Sequence, residues 1–440
     1  MENVALSPTP LLVNDLESLR QWQNSELNRL KKLPLPTKRD VEQEKSARFY
    51  FDALAELRAR LIALHGNEIY AAVTNNFSEL VRIEDLLYRI AKKFPGLAPT
   101  RSEIIQDESY FLCNKEGHEL SQGLILSELL AIPHIGQHLM TAMQQPKEKS
   151  FSLLAQFQQQ HHLRLETVTV IKKNNVAYLY LSNQSFLNAE DDQLNSDMEF
   201  AVDVILLDPN VDVAVIRGDV MSHKKYNGKR VFCSGVNLTK LYRGQLSYLF
   251  YVTRELGLIT KIYRGLMHGE NNVNKIPNCV IEKPWISVVD SHAIGGGFQM
   301  LLVSDYVIAE SGALLSVPAR REGFIPGLTN LRLPRFVGQR LSNQLVYNNY
   351  QIIVDSDEGK LIVDEVVDAN CINDSLKSVI DSMTEFGIGG FISNRKAFRL
   401  GVEPISLFLQ YMATFCREQV KCMYGPDIVN NLERFWVMRK

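Results

Sequence analysis

The stretch Ile286-Ser287-Val288-Val289-Asp290, followed by Ser291-His292-Ala293-Ile294-Gly295-Gly296-Gly297-Phe298-Gln299, carries the most structural information in the chain. The first five residues form an apolar, β-branched run of strand length. Three consecutive glycines after a strand mark a place where backbone adopts φ > 0 or something approaches it closely. A helical pattern follows over about 298–303. A helix start offers unpaired N–H groups to a developing negative charge. The spacing is not that of a dinucleotide-binding turn, and no acidic residue stands where a ribose would need one.

Outward from this point, short β-rich runs at Val168–Ile171, Val176–Leu181 and Val213–Ile216 alternate with helical patterns at Asp191–Leu207 and Ser247–Arg264. Strands alternating with helices predict an α/β arrangement. Residues 1–155 read as mostly helical. Tyr50, Leu54, Leu57, Leu61 and Leu64 form one stripe of a helix over 40–64, with Gly66 in the place of a C-terminal cap. A second helix is expected over 77–93. From about 340 the chain reads as helical to its end. The expected division is a helical domain at 1–160, a core with the site at 161–345, and a C-terminal helical region at 346–440 suited to oligomer contacts.

With 440 residues, 48 Lys+Arg against 50 Asp+Glu and a net charge of −2, the chain has an ordinary globular composition. That balance argues against nucleic-acid and membrane-surface partners. No secretory leader pattern and no apolar run of about 18 residues is read. Cysteines at 113, 233, 279, 371, 416 and 422 lack C-x-x-C spacing and are read as reduced thiols of a cytoplasmic protein.

A second segment, Val231-Phe232-Cys233-Ser234-Gly235-Val236-Asn237-Leu238, completes a set. With Arg217-Gly218, Pro284, Ile294-Gly295-Gly296-Gly297, the expected strand 304–308, Ser316-Val317-Pro318, Gly323 and Ile325-Pro326-Gly327, it resembles the crotonase superfamily over about 165–345. The resemblance implies a ββα spiral core that binds an acyl-CoA thioester. It also implies an oxyanion hole built from the amides of Val236 and Gly296, flanked by Gly295 and Gly297. Fixed donors aimed at an enolate oxygen are usually the largest single catalytic contribution.

Hydratases of this superfamily use two glutamates. Their places are held here by Gln299 and by Ala319, after Pro318. Neither side chain exchanges protons near neutral pH, which argues against hydration by two carboxylates. Glu322 lies three positions late. One branch fits better. Phe186-Leu187-Asn188-Ala189-Glu190-Asp191, Arg254-Glu255, Gln299 and Glu322-Gly323-Phe324-Ile325-Pro326-Gly327 resemble the metal- and cofactor-independent 3,5-dihydroxyphenylacetyl-CoA 1,2-dioxygenases of dihydroxyphenylglycine biosynthesis. The helical N-terminal extension is shared as well. This resemblance implies that Glu190, Arg254 and Gln299 are polar substrate contacts, and that Val236, Leu238, Phe324 and Ile325 wall an O2 pocket. Phe324 and Val236 depart from the expected smaller aliphatic and isoleucine. Cofactors are expected to be none, with O2 as co-substrate and CoA as part of the substrate. A homo-oligomer, trimer or dimer of trimers, is implied too.

Lys224, Lys225, Lys229 and Arg230 are read either as a solvated loop or as a seat for the CoA phosphates. His134 and His138 have metal spacing on a helix face but lack a third ligand, so no metal is expected. His292 is read as a packing residue, Ser234 has no readable partner, and the run 387–390 is read as a turn. The competing functions are an acyl-CoA hydrolase or isomerase, and an inactive CoA-ester-binding scaffold.

Overall fold

A computed structural model describes residues 11–268 and 280–439. It divides into two compact units. One comprises the described residues up to Met143, Leu238–Leu249 and the residues from Ile405 on. The other comprises Gln144–Asn237 and Phe250–Pro404. This grouping runs differently from a three-part division at 160 and 345. Residues 346–404 group with the core, and the last helices group with the N-terminal ones.

In the helical unit, Val41–Val73 is capped by Asp40, whose carboxylate accepts from Gln43 N while Gln43 reaches back to the Asp40 amide. The helix runs past Gly66. That glycine is not a cap but a close-approach point, since a Cβ there would stand 2.8 Å from Ile132 Cδ1. Val41–Val73 and Ile405–Met423 both pack on the helix His118–Ala131. The helix expected over 77–93 starts only at Ile83, because Asn75, Asn76 and Phe77 take positive φ.

The second unit carries the sheets. Its strands are β1 (His162–Arg164), β2 (Val168–Lys173), β3 (Val176–Leu181), β4 (Val213–Gly218), β5 (Cys233–Ser234), β6 (Leu266–Met267), β7 (Val280–Ile281), β8 (Trp285–Val289), β9 (His292–Ile294), β10 (Tyr306–Glu310), β11 (Leu314–Ser316), β12 (Gln351–Ile353) and β13 (Glu365–Val367). A seven-stranded sheet has the order β1-β2-β3-β4-β8-β10-β13, and a four-stranded sheet the order β12-β11-β9-β5. The chain alternates between them. β4, β8 and β10 enter the large sheet in parallel, and β5, β9 and β11 follow in the small one, also in parallel. Helices Gly296–Leu301 and Ala319–Glu322 follow β9 and β11, giving the repeating ββα turn.

The large sheet is buried by periodicity. Val213, Val215, Ile286, Val288 and Ile308 meet Ile372, Leu376, Val379 and Ile380 of the helix Ile372–Thr384. Burial of this kind contributes roughly 1.5–3 kcal/mol per large aliphatic side chain. The expectation of continuous helix after 340 is corrected by β12 and β13, each too short to show a period. The run 387–390 is also corrected: Gly387 (φ +75°) precedes the helix Ile388–Val402 instead of forming a free turn.

Candidate functional site

β5 and β9 pair in parallel with Cys233 opposite Ala293 and Ser234 opposite Ile294. Both segments then leave the sheet at the C-terminal ends of these adjacent strands, where a Cβ on Gly295 would stand 3.2 Å from Gly235 Cα. Gly295 takes φ +54°, ψ −112°, a conformation that suits only glycine, while its amide donates to Ser316 O of β11 at 2.8 Å. The helix starts at Gly296, two residues earlier than the pattern suggested. Among the described residues, no backbone hydrogen bond uses the amide of Val236 or of Gly296.

Glu190 ties the two loops together. Its backbone brackets Val236, with Glu190 N donating to Gly235 O (2.7 Å) and Asn237 N donating to Glu190 O (2.8 Å). The local cause is the turn before it, where Leu187 and Asn188 both adopt positive φ. Asn tolerates that region and Leu ordinarily does not. The buried Asn188 amide holds the turn by donating to Leu181 O (2.8 Å) and Val231 O (2.7 Å).

Arg254 is the hub of the polar cluster. Nε donates to Glu190 Oε1 (3.0 Å), Nη1 to Glu255 Oε1 (2.6 Å) and Gln299 Oε1 (2.9 Å), and Nη2 to Gly296 O (2.8 Å). It stands at the start of a π-helical segment, Arg254–Ile259, between the helices Tyr248–Thr253 and Thr260–Arg264. Such segments interrupt α-helices frequently at functional sites. Burial alone would lower the Arg254 pKa, but the Glu190 and Glu255 carboxylates raise it on balance. Burial raises the pKa of Glu190, and Arg254 only partly offsets this. In this cluster the buried oxygens Glu190 Oε2 and Glu255 Oε2 have no hydrogen-bond partner among the described residues. Each is an acceptor held in a dry place, which is costly unless something donates to it.

Phe324, buried, stands 6.0 Å from the Tyr251 ring. A Cβ on Gly327 would collide with Gln299 Oε1 and Glu255 Oε1, so the loop after Ala319–Glu322 lies directly against the cluster. Val236 and Ile325 are half-buried. Leu238 begins the helix Leu238–Tyr242 in the other unit. Glu322 has its pKa raised to about 7 by burial, against the opposing charge of Arg321.

Sequence reasoning gave Ser234 no partner. In the structure its Oγ lies 3.1 Å from His292 Nε2 and donates to Leu187 O at 2.8 Å. Burial, with Lys225 adding to it, lowers the His292 pKa to about 4, so the ring is neutral. Lys224 and Lys225 are exposed, and Arg230 donates to Gly218 O. His138 uses both ring nitrogens, on Tyr70 Oη and Phe77 O. Five cysteines are free thiols, and Cys279 lies outside the described residues.

The residue that sequence reasoning undervalued is Glu255. It figured only as half of a matching pair, whereas its carboxylate faces the same arginine as Glu190. The available signal was an Arg-Glu pair inside the apolar run 249–259.

The model of the enoyl-CoA hydratase/isomerase family matches residues 171–403. The (3,5-dihydroxyphenyl)acetyl-CoA 1,2-dioxygenase of Amycolatopsis orientalis is 38% identical over 404 residues, 92% of each chain. The crotonyl-CoA hydratase of Syntrophomonas wolfei is 28% identical over 184 residues, 41% of this chain and 62% of that one. Among solved structures, an enoyl-CoA hydratase from Mycobacterium avium subsp. paratuberculosis matches with a TM-score of 0.50 at 18% identity, covering 63% of this chain and 98% of that one. The last likeness concerns the fold.

Proposed function

The chain belongs to the enoyl-CoA hydratase/isomerase (crotonase) family, and within it we propose a dioxygenase that converts an arylacetyl-CoA, 3,5-dihydroxyphenylacetyl-CoA, with O2 to the aryl 2-oxo acid and free CoA. The observation that carries this reading is the pair of unpartnered acceptors, Glu190 Oε2 and Glu255 Oε2, grouped around Arg254. A ring bearing two hydroxyls supplies two O–H donors to such a wall. A plain acyl chain supplies none and leaves both oxygens buried and unpaired, at about 1–3 kcal/mol each. Gln299, whose Oε1 is engaged by Arg254, keeps amide donors for a ring oxygen.

In the proposed reaction the thioester oxygen rests between the amides of Val236 and Gly296. Loss of one Cα proton gives an enolate whose charge those amides hold. The enolate passes one electron to O2, and the radical pair recombines as a peroxide at Cα. The distal peroxide oxygen attacks the thioester carbonyl and expels CoA. The O–O bond then breaks as the second Cα proton leaves, giving the 2-oxo acid. One substrate and one O2 give one 2-oxo acid and one CoA, with no other reactant. Val236, Phe324 and Ile325 form the apolar O2 wall, and Lys224, Lys225 and Arg230 seat the CoA phosphates. No metal or organic cofactor takes part in this scheme.

Assembly as a homo-oligomer, trimer or dimer of trimers, belongs to the same reading. Phe386, Phe398 and Leu400 are 89%, 73% and 76% exposed, an apolar surface that a neighbouring subunit would cover. Among the described residues no helix is long and apolar enough to cross a membrane, and a cytoplasmic location is part of the proposal.

The Ser234–His292 contact favours a second reading, hydrolysis of the thioester. Against it, the Ser234 hydroxyl proton is directed to Leu187 O. The test is O2 uptake with 3,5-dihydroxyphenylacetyl-CoA in chelator-treated buffer. Uptake matched by 2-oxo acid supports the dioxygenase, and its absence refutes that substrate class.

A further inference from the structure

The Cys233 side chain lies where the loops after β5 and β9 meet, beside Gly235 of one and Gly297 of the other. It is wholly buried, and Gly235 N donates to its sulfur at 3.4 Å. The contact with Gly297 is tight, since a Cβ there would stand 2.5 Å from Cys233 Cβ and 3.2 Å from Sγ.

We infer that Cys233 is a positioning residue of the oxyanion hole: its sulfur takes the amide of Gly235 and its side chain packs against Gly297, fixing both loops so that the next amide of one, Val236, and the preceding amide of the other, Gly296, are left for the thioester oxygen. This rests on the oxyanion-hole reading above and adds the device that selects the two donors. Strand alternation supports it. Cys233 faces the glycine loop, while its neighbour Ser234 faces away, toward Leu187 O and His292. Sulfur suits the place because it is large and a weak acceptor, so it holds the Gly235 amide at long range. Burial, with the Glu190 charge adding to it, raises the thiol's pKa well above its usual value. The sulfur is therefore neutral and does not repel an oxyanion.

The test uses the full-length protein and its Cys233→Ala and Cys233→Ser variants. The readout is the infrared band of a 13C-labelled thioester carbonyl in 3,5-dihydroxyphenylacetyl-CoA bound without oxygen, alongside kcat and KM in air. In the wild type, the band moves to lower frequency on binding. Cys233→Ala loses most of that shift, and kcat falls about ten- to a hundredfold, less than removing a donor outright. KM changes little. Cys233→Ser, which keeps an oxygen acceptor, falls between the two. A CoA thioether without the carbonyl binds all three proteins equally. If the wild-type band shifts and both variants match it in band and kcat, the inference on Cys233 is overturned while the oxyanion hole stands. If the wild-type band does not move, the oxyanion reading fails and the inference falls with it. The serine variant carries the test should the alanine variant not fold.

Discussion

Glu190 Oε2 occupies the space that a side chain on Gly296 would need. The residue that supplies one proposed oxyanion amide is thus held in van der Waals contact with a buried carboxylate, and Arg254 binds both, through Glu190 Oε1 and Gly296 O. Gly296→Ala should displace the carboxylate and lower turnover at least about a hundredfold. It should also destabilise by about 1–3 kcal/mol, as overpacking does. Adding Glu190→Ala removes the collision, so the double variant should melt higher than Gly296→Ala alone without regaining activity. Thermal melts and steady-state kinetics on the three variants check this coupling.

Arg254→Lys tests whether charge alone suffices. The guanidinium serves four acceptors in one plane, Glu190, Glu255, Gln299 and Gly296 O. An ammonium has three donors and cannot span them. We expect kcat/KM for the dihydroxyaryl thioester to fall by about two orders of magnitude or more, equivalent to roughly 3 kcal/mol. The loss should be much smaller for an unsubstituted phenylacetyl thioester, measured side by side.

Glu403 anchors three arginines, accepting from Arg264, Arg332 and Arg335. Burial raises its pKa, but the arginines outweigh this and hold it at about 2. A depressed carboxylate pKa contributes stability that is present above the unfolded value, near 4.3, and is lost as pH falls toward 2. Glu403→Gln should lower the melting temperature at pH 7 by several degrees and flatten the acid side of the stability profile.

Glu322 has the opposite sign. Its folded pKa of about 7 lies above the unfolded value. The native state therefore binds the proton more tightly, and this contribution is complete at low pH and lost as pH rises through 7. Glu322→Gln, which mimics the protonated form, should raise the melting temperature at pH 8 relative to wild type and change it little at pH 4. Melts across pH 4–9 decide it.

The parts legible in the sequence were those with a local period or a fixed backbone demand. The strands at 168–171, 176–181 and 213–216 announce themselves by β-branched runs, and the glycine triplet by its position after β8. What escaped was either too short or purely tertiary. β5 has two residues and β9 three, so neither shows alternation, yet their pairing brings the loops after Ser234 and Ile294 side by side. β12 and β13 are hidden by the same brevity. The π-helical turn at 254–259 leaves no mark on the pattern and decides where Arg254 and Glu255 point. Gly66 looks like a helix end because the neighbour that requires it, Ile132, is far along the chain. Glu190, Arg254 and Gln299 meet at one guanidinium from separate elements. No spacing encodes that meeting, and only resemblance suggested their shared role.

Oxygen is a reactant in the proposed chemistry. The most direct measurement is therefore CoA release from 3,5-dihydroxyphenylacetyl-CoA, followed with a thiol reagent in air-saturated buffer and again under strict anaerobiosis. Release should occur in air, with one O2 consumed per CoA freed, and should stop without oxygen. Release at the same rate under both conditions would contradict the dioxygenase and point to a hydrolase.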